Sequence, residues 1–239
     1  MGTLYIVATP IGNLEDITLR AIKILSLVDY IACEDTRRTG QLLRHLKIEK
    51  KNLISYYDEV EEVKTPEIVN LIEEGHDVAL VSDAGTPLIS DPGYKLVREC
   101  IRRDIKVVSI PGPSSVIEAL IVSGLPINKF TFMGYIPAKK NRRREFLKEI
   151  KGTVVFFETA NRLKESLEDI KNIFGDIEIV IARELGGDCI MSSSLKLSFT
   201  LYFSQKVVFF THSYGSEKKR VFWILTRILM FPCHICWDR

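Results

Sequence analysis

The sequence predicts an α/β protein with two domains. Over residues 1–185, short runs of β-branched residues alternate with amphipathic stretches, which is typical of βα units and a mostly parallel sheet. The 239 residues exceed the usual single-domain size of about 100–200 residues. Two prolines and a glycine interrupt the pattern at residues 111–115, where serines can also cap a helix. We predict an N-terminal α/β domain over 1–110, a linker over 111–115 and a C-terminal α/β domain over 116–185.

Each predicted element follows from a local pattern. Short apolar, β-branched runs bounded by turn residues predict strands over 4–8, 30–33, 77–82, 106–110, 130–133, 153–157 and 178–182. Apolar residues at helical spacing predict helices over 18–27, 66–74, 93–103, 114–123, 142–150 and 162–174. In the first of these helices, Leu19, Ile22 and Leu25 fall near one face. These alternating strands and helices are the basis of the α/β prediction.

Composition excludes several classes of protein. With 46% hydrophobic and 27% charged residues, and no apolar stretch near the ~20 residues of a spanning helix, we expect a soluble globular protein. The N-terminus lacks a basic segment before its apolar run, so we expect no secretory signal and a cytoplasmic protein. Five cysteines provide no disulfide framework.

The strongest motif is S-D-A-G-T-P-L-I-S-D-P-G, residues 82–93, between a predicted strand and a predicted helix. In open α/β sheets, ligands bind beyond the carboxyl ends of the strands, which is where this loop lies. Gly85 permits a close backbone approach or a positive φ, and two prolines stiffen the loop. Its carboxylates and hydroxyls can recognise a polar ligand, although an ordinary turn before a helix is the alternative.

Four weaker motifs are also candidates. Residues 8–14 predict a second ligand loop or an ordinary βα connection. Residues 34–38 offer carboxylates that could deprotonate a hydroxyl and arginines that could hold a phosphate, or a capped helix start. Residues 139–144 contain five cations, which predict contact with a phosphate backbone or a solvated helix start. Residues 157–162 pair a strand-end carboxylate with an arginine, which can also be purely structural.

Taken together, four motifs carry a family resemblance: V-A-T-P-I-G-N-L-E-D-I-T (7–18), E-D-T-R (34–37), the loop 82–93, and P-G-P-S-S (111–115). They resemble the tetrapyrrole methylase-like superfamily, and more narrowly its ribosomal RNA small-subunit methyltransferase I branch. The resemblance implies a two-domain α/β enzyme, usually a homodimer, with S-adenosylmethionine in the interdomain cleft. It further implies methylation of the ribose 2′-hydroxyl of a cytidine in the decoding region of 16S rRNA, within the small ribosomal subunit.

The resemblance and the chemistry of the motifs together suggest roles for particular residues. The residues expected to hold the methyl donor are Pro10, Ala84, Gly85, Thr86, Ile89, Ser114 and Ser115. The candidate catalytic residues are Glu34, Asp35, Arg37 and Glu158, with Glu34 or Asp35 as the base that assists the ribose hydroxyl. The candidate RNA-binding residues are Lys139, Lys140, Arg142, Arg143 and Arg144. No metal is expected. Asn161 and Ala160 stand where the family pattern has histidine and proline.

Two other functions stay open at this stage. A small-molecule methylase of the same superfamily, acting on a precorrin-like substrate, would not require the basic cluster. A non-catalytic RNA- or ribosome-binding protein would not bind the methyl donor. The single C-x-x-C at residues 233–236, with Cys189 and His212, is weak evidence for a zinc site.

The sequence changes character after Leu185. Residues 186–239 hold 7 basic and 3 acidic residues (+4), whereas residues 1–185 hold 26 and 28 (−2). This tail departs from the family pattern, so a frameshifted or substituted terminus is our hypothesis for it. We expect the predicted strand 178–182 to lose its neighbour and so to leave an edge that needs cover. The apolar run over 206–210 could fill this gap as a strand, and the run over 221–231 could lie across it as a helix.

Overall fold

Five parallel strands form the sheet of the first of two units, Met1–Ser115, in the computed structural model. The structure describes residues 1–175, 179–183, 185, 190–192, 207–212 and 220–225. The strands of this unit are β1 (Thr3–Val7), β2 (Tyr30–Cys33), β3 (Asn52–Ser55), β4 (Val78–Val81) and β5 (Lys106–Ile110). Their order is β3-β2-β4-β1-β5, and every pairing is parallel.

Helices cover both faces of this sheet, because its central strands are apolar on both sides. Along β4, Val78 and Leu80 pack into one core cluster while Ala79 and Val81 pack into the other. The helices are α1 (Leu19–Leu27), α2 (Thr36–His45), α3 (Glu61–Glu73) and α4 (Tyr94–Arg102). The first cluster takes residues of α3 and α4, and the second takes residues of α1 and α2. Because helices cover both faces of the sheet, polar groups that bind a ligand are expected on the loops at the ends of its strands.

The second unit begins at Val116 and contains a mixed sheet. Its helices are α5 (Ser115–Val122), α6 (Lys140–Lys148) and α7 (Ala160–Phe174). Its strands are β6 (Phe130–Tyr135), β7 (Thr153–Glu158), β8 (Ile181–Arg183), β9 (Ile190–Ser192), β10 (Val207–His212) and β11 (Arg220–Leu225). Their order is β6-β7-β10-β11-β8-β9. Strand β7 is buried along its whole length, with β6 parallel on one side and β10 antiparallel on the other.

The described strands of the tail correct one of the expectations stated above. The strand expected over 206–210 is confirmed as β10, but residues 220–225 form strand β11 where a helix was expected. Their Val-Phe-Trp-Ile run is β-branched and aromatic, which suits a strand paired on both edges. The edge of β8 is covered by β10 as expected, through Phe209 opposite Ile181, and in addition by β11 and β9. The C-x-x-C sequence lies outside the described residues.

Within the part of the chain that the structure describes, no helix has the length and apolar character needed to cross a membrane.

Candidate functional site

Four of the predicted motifs follow neighbouring strands of the first sheet. Residues 8–14 follow β1, 34–38 follow β2, 82–93 follow β4 and 111–115 follow β5. Since β2, β4, β1 and β5 are consecutive in the sheet and parallel, these loops emerge at one edge. The sheet order thus explains how motifs that are far apart in the sequence come together.

The loops after β1 and β4 are joined by backbone hydrogen bonds. The Thr9 amide donates to the Gly85 carbonyl at 2.9 Å, and the Gly85 amide donates to the Thr9 carbonyl at 3.0 Å. The buried Thr9 hydroxyl also donates to the Ser82 carbonyl at 3.1 Å. Gly85 has a φ of +88°, and a Cβ there would lie 3.3 Å from Cγ2 of Ile11. The glycine in the D-A-G-T-P sequence is therefore needed for its backbone conformation.

The loop after β5 joins the same assembly. The Thr86 hydroxyl donates to the Pro113 carbonyl at 3.0 Å. A Cβ on Gly112 would lie 2.9 Å from the Cβ of Ala8, so this glycine allows the loop to pack closely against the end of β1. Three loops that contact one another directly therefore carry the predicted donor-binding residues Pro10, Ala84, Gly85, Thr86, Ile89 and Ser114, and Ser115 follows as the first residue of α5.

The loop after β2 shows a structural role for two predicted catalytic residues. Asp35 caps α2 by accepting from the Arg37 amide, and it accepts two further hydrogen bonds from the Arg37 guanidinium, at 3.0 and 2.8 Å. These bonds lower the pKa of Asp35 to about 2. A carboxylate with so low a pKa is a weak general base, so the prediction of Asp35 as the base is not supported. Although it pairs with Asp35, the Arg37 side chain is 86% exposed.

Asp83 connects the loops after β2 and β4. Its carboxylate accepts from the Asp35 amide at 3.1 Å and lies 3.1 Å from the Arg38 guanidinium. It therefore holds the start of the long loop against the start of α2.

A carboxyl group that the sequence analysis did not single out also lies here. Burial raises the pKa of Asp91 to about 7, and the nearby charges of Glu34, Asp83 and Asp58 contribute, while a hydrogen bond with Ser82 opposes them. A pKa near neutrality is what a general acid or base requires. The sequence showed only that carboxylates follow two of the strands. This observation becomes informative once the strand order shows that the two strands are neighbours. No group of three or more potential metal ligands occurs among the described residues.

In the second unit, Glu158 lies at the end of β7 and is completely buried. Its carboxylate accepts from the Thr159 amide at 2.7 Å and from the Ser166 hydroxyl, and it pairs with Arg162 at 2.6 Å. Burial raises its pKa, although these partners oppose the shift. Both oxygens are engaged by its own unit, at the start of α7. The structure thus gives Glu158 a role in holding the start of α7, and its catalytic role stays a prediction.

The basic cluster separates into a buried and an exposed part. Arg143 is 1% exposed, and its guanidinium donates to Asp169 at 2.7 Å and to the Ala138 carbonyl at 3.1 Å. Arg144 donates to the same carboxylate at 2.7 Å. These hydrogen bonds outweigh the effect of burial and lower the pKa of Asp169. Predicting Arg143 as an RNA contact was therefore wrong, because its charge is used to fasten α6 to α7.

The exposed cations of this cluster are Lys139, Lys140 and Arg142, and Arg144 is half-buried. They lie at the start of α6, where Lys139 is the N-cap residue. Cations are unfavourable at a helix N-terminus, which carries partial positive charge. The arrangement does not stabilise the helix and instead concentrates positive potential that suits an anion.

Comparison with known proteins gives a consistent result. The sequence profile of the family described as Tetrapyrrole (Corrin/Porphyrin) Methylases matches residues 3–188. The chain is 51% identical over 186 residues to the ribosomal RNA small subunit methyltransferase I of a Hydrogenobaculum species, covering 76% of this chain and 80% of that one. It is 53% identical over 187 residues to the protein of that name from Thermotoga maritima, covering 77% and 84%.

The fold has a counterpart among solved structures. The uroporphyrin-III-C-methyltransferase of Thermus thermophilus matches with a TM-score of 0.56 and 19% identity, covering 81% of this chain and 86% of that one. At this identity the likeness concerns the fold alone.

Proposed function

The chain belongs to the tetrapyrrole methylase family, and within it to the ribosomal RNA small subunit methyltransferase I branch, and on this premise we propose its reaction. It transfers a methyl group from S-adenosylmethionine to the ribose 2′-hydroxyl of a cytidine in the decoding region of 16S rRNA. The observation that carries the proposal is the joining of three strand-end loops through Thr9, Gly85, Thr86 and Pro113.

The methyl donor fits these loops by their chemistry. The loops offer backbone amides and carbonyls, hydroxyls of Thr86, Ser114 and Ser115, and a glycine conformation that leaves the backbone uncovered. Such groups suit the amino acid, ribose and adenine parts of a nucleoside-like ligand. When bound, S-adenosylmethionine supplies an electrophilic methyl group on a sulfonium ion. The loops would hold it through Pro10, Ala84, Gly85, Thr86, Ile89, Ser114 and Ser115.

The chain's own contribution to the chemistry is alignment and proton removal. A ribose hydroxyl is a weak nucleophile at neutral pH, and a positioned base typically contributes a factor of ~10²–10⁴ in rate. We assign this role to Glu34, whose charge helps to raise the pKa of Asp91. Because Asp91 has a pKa of about 7, its carboxyl is about half protonated near neutral pH and can take up or release a proton beside Glu34.

The RNA backbone is held by the exposed cations of α6. Lys139, Lys140 and Arg142 present three positive charges to solvent at a helix N-terminus. Phosphates neutralised by such groups release counterions, which gives an affinity that depends on salt. Arg37, which is exposed at the start of α2, supplies another guanidinium for a phosphate.

The remaining parts of the proposal follow from the family. The substrate is the small ribosomal subunit, which places the enzyme in the cytoplasm, and the enzyme acts as a homodimer. Size-exclusion chromatography with light scattering measures the oligomeric state directly.

Calorimetric titration with S-adenosylmethionine tests the donor site. The wild-type protein should release or absorb heat with a single site per chain. Gly85→Val should abolish the signal, because a valine at φ +88° is strained and its side chain meets Ile11. Circular dichroism identifies any variant that fails to fold. A wild-type protein that binds RNA but gives no heat with S-adenosylmethionine is a binding protein, and the proposed function is then wrong.

A further inference from the structure

The long loop after β4 adopts a backbone that must be held in place. Leu88 and Ser90 have φ values of +71° and +63°, in the left-handed region that non-glycine residues avoid. Gly93 closes the loop at φ +134°, and a Cβ there would lie 2.7 Å from Cδ2 of Leu80. Such conformations persist only where surrounding contacts determine them.

The first end of the loop is fixed by contacts already described. Thr9 and Ser82 bond to the segment around Gly85. The second end is fixed by a residue from outside every motif, Glu61 at the start of α3. Its Oε1 atom accepts from the Gly93 amide at 2.7 Å, in a buried contact that spans 32 residues of sequence.

Glu61 is itself fixed by a buried network. The Tyr56 hydroxyl donates to the same Oε1 atom at 3.1 Å, and it lies 3.0 Å from the Thr65 hydroxyl. A phenol has one proton, so when Tyr56 donates to Glu61 it accepts from Thr65. Tyr56 is fully buried and Glu61 is 7% exposed. Burial raises the pKa of Tyr56, which keeps the phenol protonated as a donor. These buried hydrogen bonds restrict the movement of the Glu61 carboxylate.

We infer that Glu61 is a positioning residue for the methyl-donor loop: by holding the Gly93 amide, it keeps the left-handed segment from Leu88 to Gly93 in its binding conformation. The inference rests on the proposed function for the identity of the ligand. The effect of Glu61 on the loop conformation is independent of that function, because it can be measured in the unliganded protein.

The chain offers a matched control in the next residue. Glu62 lies on the same helix and bonds at 2.8 Å to Lys95, on the helix that follows the loop, but its side chain is 81% exposed. Glu62→Ala therefore removes a carboxylate and a link between α3 and α4 without touching Gly93. A general weakening of this helix pair would appear in both variants.

Hydrogen exchange by mass spectrometry of the peptide covering residues 88–95 measures the positioning. We expect Glu61→Ala to exchange at least tenfold faster than wild type in this peptide, and Glu62→Ala to match wild type. Glu61→Gln keeps an oxygen acceptor and should fall between them, and Tyr56→Phe should also loosen the loop. Should Glu61→Ala fail to fold, the Gln and Phe variants carry the same comparison. Unchanged exchange in a folded Glu61 variant overturns the inference.

Donor binding and kinetics then separate positioning from mere stability. Glu61→Ala should raise the Kd and KM for S-adenosylmethionine at least tenfold while kcat at saturating donor falls less than threefold. A purely structural role would lower the melting temperature and leave the donor KM unchanged, which also overturns the inference. Failure of the wild-type protein to bind the donor contradicts the proposed function instead, and the exchange experiment still decides the role of Glu61.

Discussion

Asp91 makes the stability of the first unit depend on pH. Its pKa is raised from the ordinary 3.8 to about 7, so between these values the folded protein binds more protons at this site than the unfolded chain. Stability therefore falls as pH rises from about 4 to about 7 and stays reduced above pH 7. An uncharged residue of the same shape would avoid that loss.

We accordingly expect Asp91→Asn to stabilise the protein at pH 8, by an amount on the order of 1–3 kcal/mol. At pH 4 the wild-type carboxyl is neutral, so the variant should differ little from wild type. Urea unfolding of both proteins at the two pH values measures the difference. Equal differences at pH 4 and pH 8 would show that folding does not raise the pKa of Asp91.

Single residues also show where sequence reasoning reached its limit. The D-A-G-T-P motif located Gly85 and Thr86 correctly on a strand-end loop, because chain order and turn chemistry are local. The partners of Arg143 and Glu61 are distant in sequence, at Asp169 and Gly93. No local pattern distinguishes a buried arginine from its exposed neighbours until α7 is in place.

At the scale of elements, the strongly apolar strands were predictable and the weak ones were not. Strands β2 and β5 occupy the predicted residues. Strand β3 was missed because Asn52–Ser55 has only Leu53 and Ile54 as apolar residues. Helix α2 was not among the predicted helices because Leu42 and Leu43 are the only apolar residues in its sequence, TRRTGQLLRH, although the capped helix start given as the alternative for residues 34–38 is confirmed. Parallel pairing of β3 with β2 and the Asp35 cap supply what the local sequence lacks.

Substitutions at the start of helix α6 can show whether its exposed cations contact RNA. Replacing Lys139, Lys140 and Arg142 by alanine should weaken binding of the small ribosomal subunit. It should also reduce the slope of log affinity against log salt by roughly 2, since about 0.7 counterions are released for each phosphate contact to single-stranded RNA. Binding measured over a range of salt concentrations checks this. An unchanged slope would mean that the cations form only a solvated surface.

The neighbouring Arg143 provides the contrasting variant. Arg143→Met removes a charge from the same helix but leaves the buried Asp169 without one of its two arginine partners. Breaking a buried ion pair typically costs about 3–5 kcal/mol. We expect a large loss of stability, seen by urea unfolding, with the salt slope retained by the folded fraction.

At the scale of the whole molecule, the described strands of the tail are part of the second sheet. Strand β10 pairs with β7, and β11 pairs with β10 and β8, although the family profile ends at residue 188. The departure from the family pattern was predictable from composition, but the pairing was not. The strands with which a tail segment pairs depend on backbone register, and register is difficult to predict from sequence alone.

Truncation tests the contribution of these strands. A chain ending at residue 206 lacks β10 and β11, so β7 and β8 each lose a backbone partner. We expect it to aggregate or to lose the cooperative unfolding of the second unit, because an unpaired apolar edge is exposed. A chain ending at residue 225 keeps both strands and serves as the control. Equal stability of the two truncated chains would show that the tail strands contribute nothing.

The measurement that tests the central claim most directly is methyl transfer from S-adenosylmethionine carrying a labelled methyl group. The wild-type protein should transfer label to 16S rRNA in small ribosomal subunits, and nuclease digestion should recover it as 2′-O-methylcytidine. Gly85→Val, in which the donor loop is altered, should transfer none. Absence of label in the RNA, or transfer to a precorrin-like tetrapyrrole instead, would contradict the account.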